Sequence, residues 1–166
     1  MTFSKALHKP PARRRVFTLD EANATLPLVR AIVSDLVELS RDLAERRQRL
    51  AQLPGKKDHR AHDPYGEELA QMEQEVEEDR RRLRGYVEEL RSIGLDPDAA
   101  ADGLVGFPAI IDGRNVFLCW KLGEPRIGHW RELGDKLRQR RPLAPTFLRR
   151  ETPPSDSASA AHGQRV

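Results

Sequence analysis

From Val29 onward, apolar residues recur at alternating spacings of three and four: Val29, Ile32, Leu36, Leu39 and Leu43, then Arg46, then Leu50 and Leu53. This spacing keeps one stripe of a helix turned toward a partner helix. After the polar stretch from Pro54 to Pro64 it returns as Leu69, Met72, Val76, Asp79, Leu83, Tyr86, Leu90 and Ile93. Each run has one polar exception, Arg46 in the first and Asp79 in the second. The connection is short, which predicts antiparallel helices. Aligning Leu53 with Leu69 sets Arg46 opposite Val76, Leu43 opposite Asp79, Leu36 opposite Tyr86 and Val29 opposite Ile93. In that register Arg46 and Asp79 occupy adjacent layers on opposite helices. They are expected to form an ion pair that fixes register more than it adds stability. Helices of about 25 residues would make a hairpin about 40 Å long.

The ends of the helices are marked by local chemistry. Thr18-Leu19-Asp20-Glu21 reads as a capping box, in which the Thr18 hydroxyl and the Glu21 carboxylate each take a backbone N–H of the first turn. Pro27 disfavours helix at Leu26, so a short helical turn over Leu19–Thr25 is expected, followed by a long helix with Pro27 in its first turn. Gly94 supplies the stop of the second helix. Val33, Val37 and Val87 add apolar surface only at the end away from the connecting loop, where a lone two-helix seam most needs cover.

The next segment changes period. Leu104–Ile111 and Arg114–Lys121 flank Asp112-Gly113, a two-residue turn whose backbone twist suits a β-hairpin. The implied pairs are Ile111/Arg114, Ala109/Val116, Phe107/Leu118 and Val105/Trp120, with one largely apolar face. Pro108 falls at a position that does not bond to the partner strand, which makes the first strand an edge. Arg126–Arg131 is expected to add a third strand, and a basic amphipathic stretch follows to about Arg141. The fold class is therefore α+β: a long antiparallel two-helix coiled-coil hairpin with a small antiparallel β-sheet at its open end.

Composition narrows the setting. The 166 residues, one third of them charged, suit a single domain with a narrow core. Residues 1–16 read as a disordered basic arm, 17–143 as the folded domain, and 144–166, ending in Pro, Ser, Ala and Gly, as a disordered tail. No apolar run is long enough for a membrane span, and Met1–Pro11 lacks the apolar region of a secretory signal. A single cysteine excludes an internal disulfide, and a cytoplasmic location is expected. The net charge of +3 conceals basic ends around an acidic second helix. The clusters Arg13–Arg15 and Lys136–Arg141 raise nucleic-acid contact as a third functional reading, disfavoured because no aromatic residues interleave with the bases.

Chemistry is densest in V-F-L-C-W-K-L-G-E-P-R-I-G-H-W-R-E-L (Val116–Leu133), which holds both tryptophans and the only cysteine. Trp120, Glu124, Arg126, His129, Trp130 and Arg131 are the candidate ligand-binding residues, because guanidinium groups beside flat rings can hold an anionic or planar ligand. Asp20, Glu21 and Asn23 could join them from the start of the first helix. The competing reading, in which the tryptophans are core and the charges pair at the surface, is the stronger, since no nucleophile–base pair can be identified. Cys119 and His129 fall short of a zinc ligand set, and His59-x-x-His62 is a weak signal, so no metal and no cofactor are expected. Cys119, next to Gly106 and Phe117 and opposite in facing to Trp120, reads as a buried inert thiol.

F-T-L-D-E-A-N-A-T-L-P-L-V-R (Phe17–Arg30), G-L-V-G-F-P (Gly103–Pro108) and L-C-W-K-L-G-E-P-R-I-G-H-W (Leu118–Trp130) together resemble the bacterial domain-of-unknown-function family 2203. The resemblance covers most of Phe17–Leu143 and implies a small soluble protein without implying an activity. The family pattern Trp-His-Glu-Leu-Asp stands here as Trp130, Arg131, Glu132, Leu133 and Gly134, while Arg140, Pro142 and Leu143 keep its Arg-x-Pro-Leu. A role of that His and Asp in metal binding or proton transfer would be lost in this chain. His129 is expected on the opposite strand face from the altered position. The favoured function is a non-enzymatic interaction module acting as a homodimer or with a protein partner and with no membrane contact. The alternative is a ligand-binding protein or hydrolase-like enzyme using Trp120, Glu124, Arg126 and His129.

Overall fold

The computed structural model describes residues 15–53, 64–136 and 139–146. Most of the N-terminal arm with Arg13 and Arg14, the loop with His59 and His62, Arg138, and the tail from Phe147 lie outside the described residues. The chain is α+β: two helices, α1 (Leu19–Gln52) and α2 (Pro64–Ile93), precede an antiparallel sheet of β1 (Leu104–Ile111), β2 (Arg114–Lys121), β3 (His129–Glu132) and β4 (Arg141–Pro142). The strands lie in the order β1-β2-β3-β4. Among the described residues no helix is long and apolar enough to cross a membrane.

α1 opens on the capping box: Thr18 Oγ1 accepts from Glu21 N–H at 3.2 Å, and Glu21 Oε2 accepts from Thr18 N–H at 3.0 Å. The expected break at Pro27 does not occur; α1 is a single helix of 34 residues, longer than the spacing alone implied. Pro27 itself is exposed, while Ala22, Leu26 and Val29 on either side of it are buried. A proline inside a helix costs about 3 kcal/mol, and here both flanking turns are held in the core.

That core lies between the helices and one face of the sheet. Phe17, Leu26, Val29, Val33 and Leu36 meet Leu90 of α2 and the inward residues Val105, Phe107, Leu118 and Trp120. Phe17 and Phe107 meet edge to face at 5.3 Å. Val37 and Val87 pack against the same cluster. All eight seam positions on each helix are buried or half-buried, and Arg46 Nη1 lies 2.8 Å from Asp79 Oδ2. Gly94, at φ 101°, ends α2 in the left-handed conformation that favours glycine.

β1 pairs β2 through Val105–Trp120, Phe107–Leu118, Ala109–Val116 and Ile111–Arg114, and Asp112-Gly113 turns with φ of 50° and 74°. Positive φ at both turn residues is what joins strands with this twist. β1 is an edge strand with Pro108 facing outward, and the Pro108 carbonyl accepts from Phe17 N–H at 2.7 Å. Asp96 continues that edge for one residue, exchanging both backbone bonds with Gly106. The third strand starts three residues later than expected, because Ile127 N–H is taken by the Asn23 side chain of α1 at 2.9 Å. β4 forms within the stretch read as basic and amphipathic, pairing Arg141 with Trp130.

Candidate functional site

The sheet sorts the candidate residues by parity. β2 and β3 pair Leu118 with Trp130 on the inward face, and Phe117 with Arg131 and Cys119 with His129 on the outward face. Trp120 is fully buried in the core, with its indole N–H donating to the Glu124 carbonyl at 2.9 Å and the Arg30 guanidinium above its ring at 5.9 Å. Its side chain is part of the core and does not reach the surface. Trp130 packs against the same core under the Arg141 guanidinium. Arg126 is exposed in the β2–β3 loop. Of Asp20, Glu21 and Asn23, Glu21 serves the helix cap and Asn23 holds the loop at Ile127, so neither joins the outward cluster; Asp20 is exposed.

Glu124 and His129 come together, and His129 and Arg131 share the outward face of β3. His129 was expected to face away from the Arg131 position; the two residues are two apart along β3, so they share a face. Glu124 Oε1 lies 2.7 Å from Arg140 Nη1, an ion-pair contact, and 3.9 Å from His129 Nδ1. Its Oε2 accepts from Lys121 N–H at 3.0 Å. Glu124 thus has one oxygen in an ion pair and the other on a backbone N–H. The buried Nδ1 of His129 has no hydrogen-bond partner among the described residues.

Arg131 is the pivot of this face. Only 5% exposed, it donates from Nη2 to Asp96 Oδ2 at 2.6 Å and from Nη1 to the Asp135 carbonyl at 3.3 Å. Its guanidinium stacks on the Phe117 ring at 4.4 Å, and that ring lies over Gly106, where an added Cβ would come within 3.1 Å of it. Gly106 thus lets an aromatic ring lie flat on the strand. Burial pushes the Cys119 thiol above its ordinary range, and the positive charge of Arg131 opposes that shift without cancelling it. The thiol donates weakly to the Phe117 carbonyl at 3.6 Å.

Asp96, Arg140 and Cys119 therefore belong to the cluster although the sequence reading did not place them among the ligand-binding candidates. Arg140 had a signal, being the arginine kept in Arg-x-Pro-Leu. Asp96 had none, since its position depends on a one-residue bridge to the sheet edge. Among the described residues no group of three or more His, Cys, Asp or Glu side chains is placed to hold a metal ion. Beside Arg131 lies a cleft of about 960 Å³, lined by residues from the Arg15–Val16 segment, the end of α2, the α2–β1 connection, β1, β2, and β3 with the turn after it.

Residues 15–143 match the family described as an uncharacterized conserved protein (DUF2203), and the chain belongs to that family. No curated protein and no solved structure matches it.

Proposed function

We propose that this DUF2203 member is a non-enzymatic interaction module whose helices form an antiparallel coiled-coil hairpin and associate side by side with a second copy. The observation that carries the reading is the far half of the helical arm. From Ala44 to Gln52 and from Pro64 to Glu75 no residue is buried, yet Leu50, Leu69 and Met72 continue the apolar seam. Thirty residues of α2 bury only Val76, Asp79 and Leu90. Pairing two such arms into a four-helix arrangement would bury the half-covered seam edges. A cytoplasmic location accompanies this reading, in keeping with a single unpaired, buried thiol.

Sedimentation over a range of protein concentrations tests it. The expected result is a mass twice the 18.9 kDa of the chain, returning to a single copy in the variant Leu50→Glu/Met72→Glu. Both tryptophans sit at the sheet end, so their near-ultraviolet circular dichroism reports whether that variant keeps its fold. A wild-type chain that stays at the mass of one copy at every concentration sinks the dimer.

A further inference from the structure

The cleft beside Arg131 lies between the end of α2 and the β1 side of the sheet, and its lining combines two kinds of chemistry. Its walls are apolar: Val16, Pro97, Pro108, Phe117 and Leu133. Val16 and Leu133 are 47% and 46% exposed there, two of the few large apolar side chains that the described fold leaves in water. Its charged lining is Arg15, Arg91, Arg131 and Lys136 against Asp96, Asp98 and Asp135.

Those charges do not cancel. Asp96 is held by Arg131 at 2.6 Å and Asp135 by Arg141 at 3.3 Å. Arg15 lies over the Phe17 ring at 4.5 Å and meets the Ile93 carbonyl at 3.5 Å, and among the described residues it makes no ion pair. Arg91 has only a loose, exposed contact with Glu88 at 3.6 Å, and Lys136 makes no ion pair among the described residues. Among the described residues the lining therefore sets Arg15, Lys136 and the loosely paired Arg91 against Asp98. A cleft of this volume is of the size that takes a small organic molecule.

We propose that this cleft binds an amphipathic organic anion: an apolar body against Phe117, Pro108 and Leu133, with a carboxylate, sulfate or phosphate ester held at the mouth by Lys136, Arg91 and Arg15. Arg131 supports the floor. Its stack on Phe117 and its pair with Asp96 fix one wall to the other, so the cleft is formed before the ligand arrives. This site is separate from the helical arm and does not depend on dimerisation.

Anilinonaphthalene sulfonate has this chemistry and fluoresces when its rings leave water. Phenylnaphthylamine has the same rings without the sulfonate. Titrating the full chain with each dye should give saturable binding at one site per chain. Lys136→Glu should weaken the sulfonate about tenfold, the loss of one charge-assisted contact, and leave the neutral dye unchanged. Arg47→Glu makes the same change in net charge on an exposed turn of α1 and should alter neither dye. Leu133→Asp should weaken both. Lys136 and Leu133 are exposed, and the tryptophan circular dichroism checks that each variant is folded. Binding that does not saturate, that survives Leu133→Asp, or that responds equally to Lys136→Glu and Arg47→Glu overturns the site. The last outcome would mean that only overall charge attracts the dye, and survival of Leu133→Asp would move binding to the helical arm.

Discussion

The two ends of the helical pair are built from the same seam and held in different ways. At the sheet end every turn of α1 from Ala22 to Leu36 contributes buried side chains, and Trp120, Phe107 and Phe17 complete a core that touches both helices and the sheet. Beyond Leu43, among the described residues, the cover for one helix is the other. A third layer makes the difference: each apolar residue at the sheet end has neighbours on two sides, whereas Leu50 or Met72 has them on one. The same contrast appears in the ion pairs. Arg131 and Asp96 have side chains 6% and 18% exposed, while in the other pair Asp79 is 11% exposed and only Arg46, at 43%, reaches into water. Breaking the first pair strands Asp96, whereas Asp79, though buried as well, keeps Arg82 at 3.4 Å when Arg46 is removed.

Substitutions at the two ends should reproduce that contrast in urea unfolding. Trp120→Ala is expected to cost about 3–5 kcal/mol, through lost burial and a cavity that the sheet and α1 cannot close. Met72→Ala on the arm should cost about 1 kcal/mol or less, because its site is half in water already. Equal effects would mean that the arm is covered in solution, as in the proposed dimer. Arg131→Ala should follow at about 3 kcal/mol, since it strands Asp96 and uncovers Phe117. A loss below 1 kcal/mol would show that water reaches Asp96 freely. The smallest effect belongs to the arm: a double-mutant cycle on Arg46→Ala and Asp79→Ala should give a coupling of about 0.5–1 kcal/mol. A coupling near zero would deny the pair any role in stability and leave it, at most, a role in register.

Much of this could be read residue by residue. The eight-position seams, the capping box at Thr18 and Glu21 and the Asp112-Gly113 register depend on neighbours a few residues apart, and local chemistry suffices for them. The inward facing of Trp120 follows from strand parity once the hairpin is aligned, yet the site proposed from sequence grouped it with Glu124 and Arg131 because all three lie in one short stretch. Closeness along the chain says nothing about which face of a sheet a side chain takes.

What the sequence by itself determined is the two helical seams and the pairing of β1 with β2, because periodicity and turn stereochemistry are properties of contiguous residues. Only the tertiary structure decided that α1 runs through Pro27, since the energy that offsets a proline comes from a core assembled by distant segments. It alone also decided that Asp96 bridges to Gly106 at the sheet edge, that Arg131 reaches it across Phe117, and that a charged cleft opens where separate segments of the chain meet. These contacts join residues up to about a hundred positions apart, as Asn23 and Ile127 are, and their geometry is set by how the layers pack.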